Sequence, residues 1–368
     1  MTASRREFIS GAAFVGSGLA MAALGTSSTA AQSTLTGGHF DKYTAASDRT
    51  VQWLLARLKV DGSFGSAVQE MTSYHKSAYL FGLAGETAAA NAMLSHIKRR
   101  YLQSDGDFLL APGQKRDKVD YNEKNWGYSN GWFTLAAHRL GRFDVSWLAW
   151  QYLQRLFDPA TGGFSCTPPG TPQFPIVELL ATAHMGMLAL YFGDRPKAMS
   201  AAARVRLFES EQAASPTGMY LCIDRSGRFV TTYPPEDAPY YFFDRTKPGQ
   251  FYFTPGYAAA FLANMYLVSG DEANLRSAIR YFDLTAELNG VFDTHFSHKM
   301  AWGASLLFSI TGEPRFERFA LRVADVILAM QSSDGAWFAD QPEYVSFDQS
   351  AECAIWLRTI PAELLTRR

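Results

Sequence analysis

Net charge is what this 368-residue sequence most lacks: 34 Lys and Arg against 35 Asp and Glu leave a balance of −1. A chain this close to neutrality has no global field for holding nucleic acid or an anionic membrane surface, so a charged ligand has to be met locally. No nucleic-acid partner is expected. Cysteine is scarce too, and three thiols leave room for one bridge at most. A phosphate-cradling glycine loop, a Ser-His-Asp signature, a haem pattern and a clear metal motif are all missing, which sets redox and phosphoryl-transfer chemistry aside. Neither a cofactor nor a metal is expected. What is plentiful is apolar surface, 47% of residues, enough for one large core or two smaller ones and too much for a disordered or fibrous chain.

The first 32 residues stand apart. The stretch SRREFISGAAFVGSGLAMAALG couples Arg5 and Arg6 to a soft Gly/Ala-rich run, short for a permanent membrane span, and closes near STAAQ. It resembles a twin-arginine export signal cleaved near residue 31 or 32, which implies the twin-arginine export machinery as a partner. The expected product is residues 33–368, periplasmic or secreted, with no stable membrane insertion after processing. An oxidising compartment permits Cys166 and Cys222 to pair. Cys353, in the apolar helical SAECAIWL, is expected to stay a buried thiol.

A glycine followed two residues later by an aromatic recurs six times, at Gly62 and Phe64, Gly106 and Phe108, Gly162 and Phe164, Gly218 and Tyr220, Gly290 and Phe292, and Gly335 and Trp337. The intervals run from roughly 45 to 70 residues, the mark of repeated units with loops of unequal length. Five short glycine turns alternate with them: LAGETAA, RLGRFDV, YFGDRPK, VSGDEAN and ITGEPRF. Segments before each aromatic marker are amphipathic, such as NLRSAIRYFDLTAEL; segments after each long loop, such as TPGYAAAFLANMYLV, are apolar nearly all round. The pattern predicts an all-α domain, an (α/α)6 toroid of six helical hairpins with amphipathic helices outside, apolar helices inside and all long loops on one face. Inner helices then start at that face and turn their free amides toward it. The largest loop, residues 214–253, is a candidate lid.

The pieces of the form Q-x-x-D-G-x-W/F, with MQSSDGAWF the closest, resemble the repeat motif of the prenyltransferase and terpenoid-cyclase toroids. That resemblance implies the six-hairpin frame over most of the mature chain. The Asp-rich acid motif of the cyclases is absent, so cyclase activity does not follow. The layout also resembles sugar epimerases, unsaturated-glucuronyl hydrolases, α/α-barrel polysaccharide lyases and, in size and compartment, periplasmic linalool dehydratase-isomerases.

Candidate site residues are polar groups in the long loops and in the first turns of inner helices. SYHK supplies Tyr74, His75 and Lys76; the histidine suits acid or base work near neutrality or a loop-anchoring hydrogen bond. DYNEKNWGYSNGW supplies Asp120, Asn122, Glu123, Trp126, Tyr128, Asn130 and Trp132, a mixture that stacks on sugar rings, shapes an apolar cavity or packs its own loop. DTHFSHK supplies Asp293, His295, His298 and Lys299, two imidazoles on one helix face for proton transfer or, with Asp293, for a metal. Further carboxylates lie at Glu178, Asp224, Glu236, Asp237, Asp244, Glu343 and Asp348, the last also suited to capping a helix. The aromatic loop brings Tyr240, Tyr241, Tyr252 and Tyr257. His184, in an apolar inner segment, reads as a core histidine. Cys166 and Cys222 are either a disulfide or, as the dehydratase-isomerase resemblance implies, a pair of active thiols.

These groups predict an exported, cofactor-independent lyase or isomerase. It would do acid–base chemistry at a C–O bond of a neutral terpenoid-like or other small apolar alcohol, through His75, Tyr128, His295 and His298 with Asp120, Asp293 or Asp244 as partners. The alternatives are a carbohydrate-active enzyme, either a polysaccharide lyase or a glycoside hydrolase acting on an oligosaccharide, and a noncatalytic ligand-binding protein.

Overall fold

The computed structural model describes residues 40–64, 70–111, 113–115, 121–213 and 215–366, and twelve helices of seven or more residues run through them. The twin-arginine segment and Asp120 lie outside the described residues, as does the side chain of Asn122. In chain order the helices are α1 (Asp41–Leu55), α2 (Ser77–Leu83), α3 (Thr87–Arg100), α4 (Trp126–Arg139), α5 (Phe143–Leu153), α6 (Leu179–Tyr191), α7 (Arg195–Ser210), α8 (Phe253–Ser269), α9 (Glu272–Asp283), α10 (His298–Thr311), α11 (Pro314–Ala329) and α12 (Glu343–Leu365). Even-numbered helices touch in the order α2, α4, α6, α8, α10, α12 and back to α2, a closed inner ring. Odd-numbered helices pack outside it. The architecture is an (α/α)6 toroid.

Burial explains the two layers. On α11 the covered residues are Phe316, Phe319, Ala320, Val323, Ala324 and Ile327, a single stripe at helical spacing that faces inward. On α6 every residue from Leu179 to Ala189 is buried, as an inner helix with neighbours on all sides requires. Small residues let those neighbours approach. A Cβ on Gly256 of α8 would stand 2.3 Å from the backbone nitrogen of Met300 on α10.

The short turns after α2, α4, α6, α8 and α10 each carry a glycine in the left-handed region, Gly85, Gly141, Gly193, Gly270 and Gly312, which ends the helix. Five of the six aromatic-marker glycines are left-handed as well. Gly335 shows why: at φ +98° its backbone packs on the carbonyl of Arg49 in α1, where a Cβ would come within 2.7 Å. That contact joins the last outer helix to the first. Around it Thr50 Oγ1 donates to Gly335 O at 2.7 Å, and the fully buried Trp337 donates from Nε1 to Ile327 O at 2.9 Å. The fourth marker departs from the pattern, because Gly218–Tyr220 forms a strand paired with Phe242–Asp244 in place of a turn. In the fifth, Val291 takes the buried place and Phe292 stays half-exposed.

Strand content is small: β1 (Phe157–Asp158) with β2 (Gly163–Phe164), β3 (Val177–Glu178) with β5 (Cys222–Ile223), and β4 (Gly218–Tyr220) with β6 (Phe242–Asp244), all antiparallel. These ribbons pin the 214–253 loop. Leu179 N donates to Leu221 O at 2.9 Å and Leu221 N to Tyr241 O at 2.8 Å, which ties the candidate lid to the start of α6. Among the described residues no helix is long and apolar enough to cross a membrane.

Replacing Gly335 with alanine places a Cβ against the Arg49 backbone at a φ that L-residues avoid. The variant is expected to lose about 3 kcal/mol of unfolding free energy. Urea denaturation measures this, and an unchanged midpoint would contradict the ring-closing role.

Candidate active site

The inner ring opens at the long-loop face onto a central chamber of about 260 Å³. Its floor follows from ring order. α12 lies between α2 and α10, and it carries Asp348 and Glu352 one turn apart, hence on one face. The dipeptide His75-Lys76 leads into α2, and His298-Lys299 begins α10. Lys76 bonds Glu352 and holds Asp348 Oδ1 at 2.8 Å; Lys299 holds Glu352 Oε1 at 2.8 Å; His298 Nε2 stands 3.1 Å from the same oxygen. Trp356 Nε1 also donates to Glu352. Both lysines and both carboxylates are buried, so two ammoniums and two carboxylates balance out of water.

Electrostatics sort these groups by role. Burial alone would raise the Glu352 pKa, but the ammoniums of Lys299 and Lys76 outweigh it and hold this carboxyl well below its usual range. Asp348 is shifted up, because burial exceeds the pull of Lys76. Burial brings Lys299 down to about 8 although Glu352 opposes it, whereas at Lys76 the two carboxylates win and the pKa rises. Lys299 is thus the ammonium that titrates closest to neutrality.

The histidines are neutral at pH 7. Burial, with Lys299 beside it, lowers His298 to about 4. Its tautomer is fixed by geometry: Nδ1 lies 2.5 Å from the His295 carbonyl oxygen, which only accepts, so Nδ1 carries the proton and Nε2 holds a lone pair. Lys299 Nζ donates to that lone pair at 2.8 Å and reaches the Tyr128 hydroxyl at 3.4 Å. His75, lowered well below its usual value by burial and by Lys76, has Nε2 3.2 Å from Asp348 Oδ1, yet neither ring nitrogen makes an aligned hydrogen bond. A buried imidazole with both hydrogen bonds unmade, lining a cavity, is equipped to bind something.

A second chamber, about 360 Å³, adjoins the first and shares Tyr240, Phe251 and Phe253 with it. One face of a small ribbon builds it. Cys166 N donates to Ile176 O, Ser165 pairs with Val177, and Glu178 pairs with Cys222, so β3 runs between the segments bearing the two cysteines. Two strand spacings, about 9–10 Å, separate those segments. A disulfide needs Cα atoms within about 7 Å. Cys166 and Cys222 are accordingly both free thiols, and the expected bridge does not form because Val177–Glu178 lies between its partners. Ile176 and Glu178 share a face of the strand, so Cys166, Glu178 and Cys222 point to one side, into the chamber. Burial raises Cys166 to about 12 and lifts Cys222 well above its usual range, which keeps both protonated and unsuited to nucleophilic attack. Cys353 is a buried thiol as well.

Of the predicted site residues, the central chamber gathers His75, Lys76, Tyr128, His298, Lys299 and Asp348. Glu123, Trp126, Cys166, Cys222 and Tyr241 line the second, and Tyr240 borders both. The rest lie elsewhere. His295 packs on Phe338 and bonds Gln349, with its ring stacked on His298 at 6.5 Å. Asp293 is exposed, and among the described residues no three His, Cys, Asp or Glu side chains converge, so Asp293 does not join the two histidines as a ligand set. Asp244 belongs to a surface turn, where it accepts from Thr246 and pairs with Lys247. Tyr74 accepts from Phe64 N, and Tyr252 donates to Asn289 O; both hold loops. Asn130 is tied to Lys115 and Asp107 in a buried network, and Trp132 packs on Tyr128 and His184. Tyr257 sits one turn deeper on α8 than Phe253 and bonds His184 Nδ1 at 2.7 Å, so His184 is a core histidine. The central residue that sequence reasoning missed is Glu352. Its signal was an acid one helical turn beyond Asp348, beside the apolar run Cys353–Leu357.

No protein-family profile matches the chain, and no curated protein matches it in sequence. Solved structures do match. The chain is similar to a D-mannose isomerase, with a TM-score of 0.63 at 14% identity over 89% of this chain and 98% of that one. It is similar to the α-1,6-mannanase GH76A of Salegentibacter sp. HEL1_6, with 0.60 at 13% over 87% and 99%. A type II terpene cyclase from Scytonema, solved with merosterolic acid A as product, gives 0.54 at 14% over 90% and 100%. At such identities the likeness establishes the shared toroid and leaves the chemistry to the site.

The depressed histidines make stability acid-sensitive. In the unfolded chain imidazoles take up protons near pH 6.5, while folded His298 resists until about 4, so the stability present above 6.5 is lost as pH falls through that window. The His298 contribution is about 3 kcal/mol. Urea midpoints between pH 7 and 4.5 should fall steeply in the native protein and less steeply in His298→Asn; equal slopes would contradict a buried neutral imidazole.

Proposed function

We propose that the chain is an exported isomerase or lyase whose own side chains move a proton at a hydroxyl-bearing carbon of a small, neutral, polyhydroxylated substrate of sugar type. The observation that carries this reading is the pair of neutral imidazoles, His298 with its lone pair fixed at Nε2 and His75 with both hydrogen bonds unmade, lining one chamber beside a balanced charge cluster. In an α-hydroxy carbonyl compound the Lys299 ammonium turns from the His298 lone pair to the substrate's carbonyl oxygen, and the carbon proton leaves to the Nε2 so freed. The negative charge that develops on the carbonyl oxygen is met by the Lys299 ammonium and the Tyr128 hydroxyl. Returning the proton to the neighbouring carbon completes an isomerisation with no net gain or loss of atoms, and His75 exchanges the hydroxyl proton.

A terpenoid-like apolar alcohol fits this chamber less well, because it offers one hydroxyl at most to the two unpartnered ring nitrogens of buried His75. A two-carboxylate hydrolase is also disfavoured. Such an enzyme places its acids on opposite sides of the scissile bond, whereas Lys76 bridges Asp348 and Glu352 on one helix face. The likeness to a D-mannose isomerase is compatible with the proposal, and the arginine pair near the N-terminus supports export.

Proton nuclear magnetic resonance in D2O tests the reading directly. A panel of aldoses and ketoses incubated with the protein should exchange the carbon-bound proton next to the carbonyl for deuterium. His298→Gln should slow that exchange by about 10²–10⁴-fold. The rate should be greatest between about pH 4, where His298 becomes neutral, and about pH 8, where Lys299 loses its proton. Exchange that persists at the native rate in His298→Gln, or none with any sugar, would sink the proposal.

A further inference from the structure

The thiol-bearing chamber takes no part in the proton transfer proposed above, and its electrostatics are of another kind. Glu178 is buried there as the N-cap of α6, accepting from Leu180 N, Ala181 N and Asn125 Nδ2. Among the described residues no lysine or arginine pairs with it, and burial outweighs the three donors to push its pKa up to about 7. The one lysine at this chamber, Lys124, is already engaged by Asp237. A carboxyl held out of water without a counter-ion repels an anionic ligand, and a neutral ligand leaves the desolvation uncompensated. A cation satisfies it.

The walls favour the same ligand. Rings of Trp126, Tyr240, Tyr241, Phe251 and Phe253 surround the cavity, and the partition that it shares with the central chamber already attracts ammoniums from both sides. Lys124 Nζ lies 4.9 Å from the Tyr240 ring centre, and Lys299 Nζ lies 5.4 Å from that of Phe253. Aromatic faces around a cavity, with a carboxylate inside it, make a cage for a positively charged nitrogen. The two thiols remain protonated and add polarisable surface without charge.

We propose that this chamber is a binding site for an organic ammonium group on a small frame, with Glu178 as its counter-ion and the Tyr240 and Tyr241 rings as its cage. Binding a cation draws Glu178 into its ionised form. Affinity therefore rises as pH climbs through neutrality, and protons are released on binding below it.

Calorimetric titration of the full chain tests this, using choline and n-butylammonium as probes and 3,3-dimethyl-1-butanol as the neutral isostere of choline. At least one ammonium should bind ten or more times tighter than the isostere, and severalfold tighter at pH 8 than at pH 6. Glu178→Gln should weaken it by more than tenfold and flatten the pH dependence. Tyr241→Leu leaves the helix cap and the carboxyl in place, so it decides the matter if the first variant folds poorly; a loss of about fivefold is expected. Equal binding of the isostere, affinity unchanged in Tyr241→Leu, or no binding of either ammonium overturns the proposal. The readout is binding alone, so the result stands whether or not the central chamber turns over a sugar.

Discussion

The ion cluster centred on Glu352 is the interaction on which the rest of the site depends. Its carboxylate meets Lys76 from the α2 side, Lys299 from the α10 side, and Trp356 from its own helix. Withdrawing such charges from water costs several kcal/mol per ion, and only well-made pairs offset it. A hydrophobic floor would stabilise the toroid at least as well. The charges sit where an open chamber reaches them, and that placement argues for chemistry over stability.

The repeat frame explains how two similar dipeptides come to flank one acid-bearing helix. His75-Lys76 and His298-Lys299 both follow a single 3-10 turn, Met71–Ser73 and His295–Ser297, and both enter an inner helix that touches α12. Equivalent positions in two hairpins thus become opposing walls of one cavity. The equivalence stops at hydrogen bonding: the second turn offers its own carbonyl to His298 Nδ1, while the first offers nothing to His75. One imidazole is oriented by the protein, and the other keeps both ring nitrogens without a partner among the described residues.

Much of the frame was legible because its signals are local. Left-handed glycines end the helices wherever they stand, and apolar periodicity separates the outer stripe of α11 from the all-round burial of α6. His75, Lys76, His298 and Lys299 could be found because a first-turn position on an inner helix is a sequence property once the repeat is known. Glu352 could not, since a single acid in SAECAIWL has meaning only when two lysines arrive from other hairpins. The cysteines failed for the same non-local reason: an oxidising compartment permits a bridge, but strand pairing placed Val177–Glu178 between them. Glu178 stood among the loop carboxylates and gained its character from burial alone.

The pinned loop across residues 214–253 turns one mouth of the toroid into two chambers of unlike charge. On one side of Phe253 stands Lys299, whose ammonium is balanced by Glu352; on the far side of the partition lies Glu178, with no balancing cation among the described residues. Were the partition absent, Lys299 and Glu178 would face a common cavity and tend to compensate one another. That would draw Lys299 from its own carboxylate and return Glu178 toward the ordinary range. Keeping Tyr240, Phe251 and Phe253 between them preserves two chambers of different electrostatics in one ring, and the main-chain bonds of Leu221 to Leu179 and Tyr241 hold the Tyr240 end of that partition.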